Sequence, residues 1–265
     1  MPETGSAEHP VERWIRGSTT HTTDRVAEEM PVALVYHGVP HVVMLATPAN
    51  LEDFATGFTL SEGLVGHPSE IQSVEVERGE DAIDVRVGIS AERFSHMLER
   101  RRHLTGRTGC GLCGAETLEQ AIRPAPPVGK GASLSVAELH AALIAIQGQQ
   151  PINALTGSVH AAAWIEPGRG ITCVREDVGR HNALDKTIGA LTRAGADFAT
   201  GCMLITSRAS YEMVQKSATV GISFVVAVSA PTALAIRVAQ MSGVTLVGFA
   251  RAEQHVVYTH PERLT

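Results

Sequence analysis

The sequence predicts an α/β chain: a three-layer α/β domain over residues 131–265, a smaller α+β subdomain over 23–130, and a flexible tail over 1–22. Three observations point there. From Cys202 to Phe249, short apolar runs alternate with helix-patterned segments, the strand-helix-strand order of a largely parallel sheet. In the first half, strict alternation as in Ile83-Asp-Val-Arg-Val-Gly-Ile89 marks half-buried strands. Between them, Arg123-Pro-Ala-Pro-Pro-Val-Gly-Lys-Gly131 is dense in Pro and Gly, as linkers are.

The elements follow in order. Residues 1–22 are polar and predict a loose tail with at most a short strand around Val11–Ile15. Val32–Tyr36 and His41–Leu45 flank His37-Gly-Val-Pro40 as a β-hairpin would. Asn50 can cap a helix that turns Leu51, Phe54, Ala55 and Phe58 inward and ends at Gly63. Val74–Glu77 and Ile83–Ile89 are strands, and Ser90 caps a helix burying Phe94, Met97 and Leu98. Beyond the linker, Ser135-Val-Ala-Glu138 is a capping box for a helix with Leu139, Leu143 and Ile146 inside. Ala161–Ile165 and Ile171–Val174 read as an antiparallel pair, followed by a helix with Ala183, Leu184, Ile188 and Leu191. Strands at Cys202–Ile205, Ile222–Val228 and Val244–Phe249 then enclose helices at Tyr211–Thr219 and from Pro231, and His255–Tyr258 is a last strand.

Hydrophobic residues make up 44% of the 265, enough for a sizeable core. Lys and Arg number 22 against 28 Asp and Glu, a formal charge of −6, which argues against bulk nucleic-acid or anionic-membrane binding. It leaves room for one nucleotide in a local basic pocket. No apolar run approaches the roughly 20 residues of a membrane span, and no apolar secretory core opens the chain. The expected compartment is the cytoplasm, where the four cysteines would be reduced thiols.

The chemistry centres on Arg107-Thr-Gly-Cys110-Gly-Leu-Cys113-Gly-Ala-Glu116. Its glycines predict a mobile loop, and the basic run from Arg100 to Arg107 favours a thiolate. Two ordinary loop residues, a zinc site, a thioredoxin-type dithiol and a persulfide carrier are the readings to weigh. Zinc normally takes four ligands in two clusters, and no second pair exists, because Cys173 and Cys202 sit alone in apolar strands. A thioredoxin motif needs a βαβ setting that the surroundings lack. A persulfide carrier suits a glycine-rich loop, because its sulfur has to visit two sites. Zinc deaminases use HxE followed by PCxxC, but here Ala162 stands two residues after His160.

Four further segments could bind an anion, the last three of them from one edge of the sheet. Arg175-Glu-Asp-Val-Gly-Arg-His-Asn-Ala-Leu-Asp-Lys186 clusters charge at a helix start; a solvated face and a site including His181 both fit. Thr206-Ser-Arg208-Ala-Ser210 and Ser229-Ala-Pro-Thr232 each join a strand to a helix, and Phe249-Ala250-Arg251-Ala252-Glu253-Gln254 follows the last sheet strand. All three would emerge at the carboxyl edge of the sheet, where open α/β sheets bind ligands.

Together, RTGCGLCGAE, REDVGRHNALDK, TSRASYEMVQKS, VSAPTALA and LVGFAR…VYTHPERL resemble the formate dehydrogenase accessory sulfurtransferase family (FdhD), over roughly Gly38 to the C-terminus. The resemblance implies a homodimeric cytoplasmic protein whose larger domain has a cytidine-deaminase-like fold. It implies a carrier that takes persulfide sulfur from a cysteine desulfurase. The sulfur would pass to the bis-molybdopterin guanine dinucleotide cofactor for formate dehydrogenase. Cys110 is then the persulfide cysteine, Cys113 its neighbour, and Phe249–Gln254 the cofactor-binding stretch; Arg208, Ser210, Ser229, Thr232 and His181 would line the nucleotide pocket. Where family members often carry Gly-Arg, this chain has Glu253-Gln254, which leaves Arg251 as the cation of that stretch. A non-catalytic chaperone of the same cofactor is the alternative, and a zinc-dependent hydrolase on the deaminase scaffold is a third reading.

Overall fold

A computed structural model of the chain describes residues 5–104 and 125–265. The cysteine loop with Cys110 and Cys113 therefore lies outside the described residues. Strands β1 (Ser6–Ile15) and β2 (Ser18–Ala27) pair along their whole length as an antiparallel ribbon, where the polar composition predicts a loose tail. The ribbon is exposed on both faces for most of its length, so it carries no apolar alternation to read.

A four-stranded sheet follows, in the order β4 (Val39–Ala46), β3 (Met30–Tyr36), β6 (Ile83–Ile89), β5 (Ile71–Arg78). Helices α1 (Leu51–Ser61) and α2 (Ala91–Leu104) cover one face of it. Val32, Leu34 and Tyr36 alternate inward with Ile83, Val85, Val87 and Ile89, and all pack with Leu51, Phe54, Ala55 and Met97.

The second half is a six-stranded sheet, in the order β12 (Gln254–Thr259), β11 (Thr245–Arg251), β10 (Phe224–Ala227), β9 (Cys202–Ile205), β7 (His160–Glu166), β8 (Gly170–Asp177). Only β9, β10 and β11 are mutually parallel. The rest is antiparallel, because tight hairpins join β7 to β8 and β11 to β12. The sheet is mixed, against the largely parallel one that the strand-helix alternation predicts. Helices lie on both faces. Met203, Ile205, Val225 and Ala227 face α5 (Arg180–Arg193), α6 (Tyr211–Thr219) and α7 (Ala233–Ser242). Cys202, Leu204, Phe224 and Val226, one residue out of phase, face α3 (Val136–Ala145). A short helix, α4 (Pro151–Thr156), precedes β7.

The two halves meet where α1 packs on α5. A Cβ on Gly57 would stand 1.7 Å from the Asp185 carbonyl oxygen, and one on Gly189 would stand 1.8 Å from that of Asp53. Only glycine lets the two helix backbones come this close. Around this contact run ion pairs on two buried carboxylates, Asp53 and Asp185. Asp53 holds Arg175 Nε at 2.8 Å and Arg193 at 2.6 Å. Lys216 Nζ is 2.9 Å from Asp185 Oδ2 and 3.0 Å from Ser61 Oγ.

Candidate functional site

The loops after β9, β10 and β11 converge at the carboxyl edge of the sheet, and backbone hydrogen bonds stitch them together. Ala209 N–H donates to Ala230 O at 3.3 Å, Thr232 N–H to Ala209 O at 3.0 Å, and Phe249 N–H to Ser229 O at 3.1 Å. The structure thus brings Arg208, Ser210, Ser229, Thr232 and Phe249 to one edge. Arg208 and Thr232 are exposed, and Ser210 and Ser229 are half-buried. The Thr232 hydroxyl accepts from Ala235 N–H at 3.2 Å and so caps α7.

Phe249–Gln254, expected to follow a strand that ends at Phe249, is a hairpin whose two strands run further than predicted. β11 continues through Arg251, Ala252 and Glu253 make the turn, and Gln254 opens β12 opposite Arg251. The register slips between Gly248 and Arg251, and inside this bulge Phe249 has φ of 50°. A bulky residue rarely adopts this left-handed conformation. Phe249 is 44% exposed, while Ala250 is buried. Exposed backbone strain of this kind gathers at functional sites. Glu253 and Gln254 are exposed at the hairpin tip. Just beyond it, His140 Nε2 and His255 Nδ1 lie 3.1 Å apart and fasten the hairpin to α3.

On the other side of the edge lie β7 and α5. Because β7 runs against β9, its first residue, His160, sits beside the end of β9; Ala161 N–H donates to Thr206 Oγ1 at 2.9 Å. Burial first, then the Arg180 and His181 charges, hold the His160 imidazole below its ordinary range. His181 Nε2 stands 2.9 Å from Glu212 Oε2. The pairing with His181 is the main reason the Glu212 carboxyl is held low.

The charged segment from Arg175 to Lys186 divides its work. Asp177 accepts from Thr47 N–H at 3.1 Å, Gly179 N–H at 2.8 Å and the Asn182 amide at 3.0 Å, and it pairs with Lys186. Asn182 also donates to Leu45 O, and Asp185 pairs with Lys216. These residues fasten the two halves together, while Arg180 and His181 face the edge. Sequence reasoning placed Asp177, Arg180, His181 and Asn182 together at this helix start and chose His181 as the site residue, but it did not reach Glu212. Glu212 meets His181 only through the fold, so no spacing could have found it. Among the described residues, no group of three or more His, Cys, Asp or Glu is arranged to hold a metal ion.

Comparison with known proteins agrees along nearly the whole chain. A protein from Cupriavidus necator named sulfur carrier protein FdhD is 52% identical over 266 residues, covering 98% of this chain and 92% of that one. Proteins of the same name from Xanthomonas euvesicatoria and Bordetella petrii are 49% and 50% identical, covering 98% and 94% of this chain. A crystal structure of a candidate formate dehydrogenase accessory protein from Desulfotalea psychrophila shares the fold: the TM-score is 0.76 over 98% of this chain and 99% of that one, at 24% identity. The sequence profile of the FdhD/NarQ family matches residues 27–265, from the end of the β1–β2 ribbon to the last residue, and the chain belongs to that family.

Proposed function

We propose that this protein is a sulfur carrier that serves formate dehydrogenase. The observation behind the reading is Cys110-Gly-Leu-Cys113 in a chain about half identical, end to end, to proteins named sulfur carriers. The Cys110 thiolate attacks the terminal sulfur of a cysteine desulfurase persulfide. The new S–S bond makes Cys110–S–SH, and the desulfurase thiolate leaves. Arg107 and the basic run before it favour the attacking thiolate. The acceptor is the bis-molybdopterin guanine dinucleotide cofactor, bound at the stitched edge by Phe249–Gln254, Arg208–Ser210 and Ser229–Thr232. An exposed aromatic ring in a strained bulge supports that placement, because it offers guanine a stacking face. Arg251 at the same hairpin supplies a charge for a phosphate. Helices on both faces of a mixed sheet support a cytidine-deaminase-like scaffold, with Ala162 where the deaminase glutamate would stand. The protein acts in the cytoplasm as a homodimer; among the described residues no helix is long and apolar enough to cross a membrane.

The test is to incubate the purified protein with a cysteine desulfurase and cysteine, then map added sulfur by mass spectrometry. One extra sulfur on Cys110 is expected. No added sulfur on Cys110 or Cys113 overturns the carrier, and a Cys110→Ala strain that keeps formate dehydrogenase activity points to the cofactor chaperone instead.

A further inference from the structure

The chain that follows the two cysteines is described again from residue 125, and the composition of residues 125–131 predicts a flexible linker. The structure holds it down instead. Val128 N–H donates to Ser242 O at 2.8 Å. Gly131, with φ of 65°, passes so close to the start of β10 that a Cβ would stand 1.7 Å from Ser223 Oγ. The main fastening is Arg263, in a short 3₁₀ turn near the C-terminus. Its guanidinium reaches two segments at once. On the linker, Nη2 donates to Gly129 O at 3.0 Å and Nε to Lys130 O at 2.5 Å. At the start of β11, Nη1 donates to Gly243 O at 3.0 Å and to Thr245 Oγ1 at 2.9 Å. The backbone adds two bonds: Leu134 N–H donates to Arg263 O and Val136 N–H to Thr265 O, both at 2.8 Å.

Arg263 is 9% exposed, and its hydrogen-bond partners among the described residues are all carbonyl and hydroxyl oxygens. Burying a cation on neutral acceptors is costly, and an apolar side chain would pack there without that cost. A planar fork of five donors is what joins the two segments. Upstream of the clamp is the stretch that carries Cys110 and Cys113; Val128 follows Cys113 by 15 residues.

We propose that Arg263 is a positioning residue for sulfur delivery: it fixes the point from which the two cysteines are tethered. This rests on the sulfur-carrier reading. Freed as far as Val136, the tether from Cys113 lengthens from about 15 to about 23 residues, which lowers the effective concentration of its sulfur at a fixed acceptor about twofold. Loading from a desulfurase is bimolecular and does not depend on where the tether starts. Delivery to an acceptor held on the protein does.

The test compares the two steps in full-length variants. Arg263→Met removes the donors and keeps an apolar stem. It should raise hydrogen exchange at residues 125–131 and leave sulfur uptake on Cys110, from a cysteine desulfurase and cysteine, at the wild-type level. Formate dehydrogenase activity in cells whose own copy of the protein is deleted should fall about twofold or more. Arg263→Lys, which can hold one segment but not both, should fall between. Val128→Pro removes the N–H given to Ser242 O, leaves Arg263 in place and should act in the same direction. Undiminished activity in both released variants overturns the positioning role. So does a parallel loss of loading and activity, which marks a purely structural residue. A wild-type chain that takes up no sulfur overturns the carrier reading, and the positioning role with it.

Discussion

Lys186 Nζ lies 2.6 Å from Asp177 Oδ2, with both side chains fully buried, and the same Nζ donates to the Thr47 carbonyl at 2.8 Å. One ammonium from the middle of α5 thus ties the end of β8 to the residue that follows β4, and so the second half of the chain to the first. Burial pushes the lysine pKa down, against the pull of Asp177. Removing one member of such a pair strands the other. Lys186→Met should therefore destabilise the fold by about 3–5 kcal/mol, read by urea denaturation. Adding Asp177→Asn should recover part of that loss; a double variant no better than the single one would show that the charge pairing is not the issue.

The same junction reverses the usual rule for helix glycines. Gly→Ala inside a helix ordinarily stabilises by about 1 kcal/mol. At Gly57 the new methyl would meet the Asp185 carbonyl oxygen at 1.7 Å, and at Gly189 that of Asp53 at 1.8 Å. Both contacts are backbone, so neither can swing aside. Gly57→Ala and Gly189→Ala should each destabilise by about 1–3 kcal/mol or more, seen as a lowered thermal midpoint. A rise in midpoint would mean that the helices separate freely.

His160 gives the junction between β7 and α5 a pH dependence. Its folded-state pKa is depressed, first by burial and then by Arg180. The native state therefore resists the proton that the unfolded chain accepts. The contribution of His160 to stability is present above the ordinary imidazole value of 6.5 and is lost as pH falls below it. Urea midpoints measured down through this range should fall with pH, and His160→Gln should flatten the slope. An equal slope in both proteins would assign the dependence to other groups.

The sheet strands were legible because period-two burial shows in the residues themselves: Cys202 to Ile205 alternate between two cores, and Ile83 to Ile89 present one. The ribbon from Ser6 to Ala27 was not, since its exposed faces impose no pattern. The segment from Arg175 to Lys186 shows the limit for the site. Spacing places His181 and Asp185 on one helix face, yet His181 meets Glu212 and Asp185 meets Lys216. Those partners lie some thirty residues away, brought in by α6, and the Thr47 and Leu45 contacts come from the other half of the chain. The edge loops at Thr206–Ser210 and Ser229–Thr232 were legible as strand-to-helix connections, but the strain at Phe249 arises from a register slip between β11 and β12 that no local pattern encodes.

Phe249 separates what stability prefers from what binding needs. Holding a non-glycine residue in the left-handed region costs about 1–2 kcal/mol, and its exposed ring recovers little of that by packing. Phe249→Gly removes the steric strain while adding the chain freedom of glycine, about 0.5–1 kcal/mol. The thermal midpoint should therefore stay level or rise slightly. If the ring stacks on guanine, the same substitution should weaken GDP and guanosine binding alike, by roughly 1–3 kcal/mol, the range for an aromatic stacked on a base. Equal loss for both ligands is what a contact to the base rather than to the phosphates predicts. A Phe249→Gly protein that binds both nucleotides as the wild type does, with a lowered midpoint, would make the bulge a structural feature and move the base elsewhere on the edge.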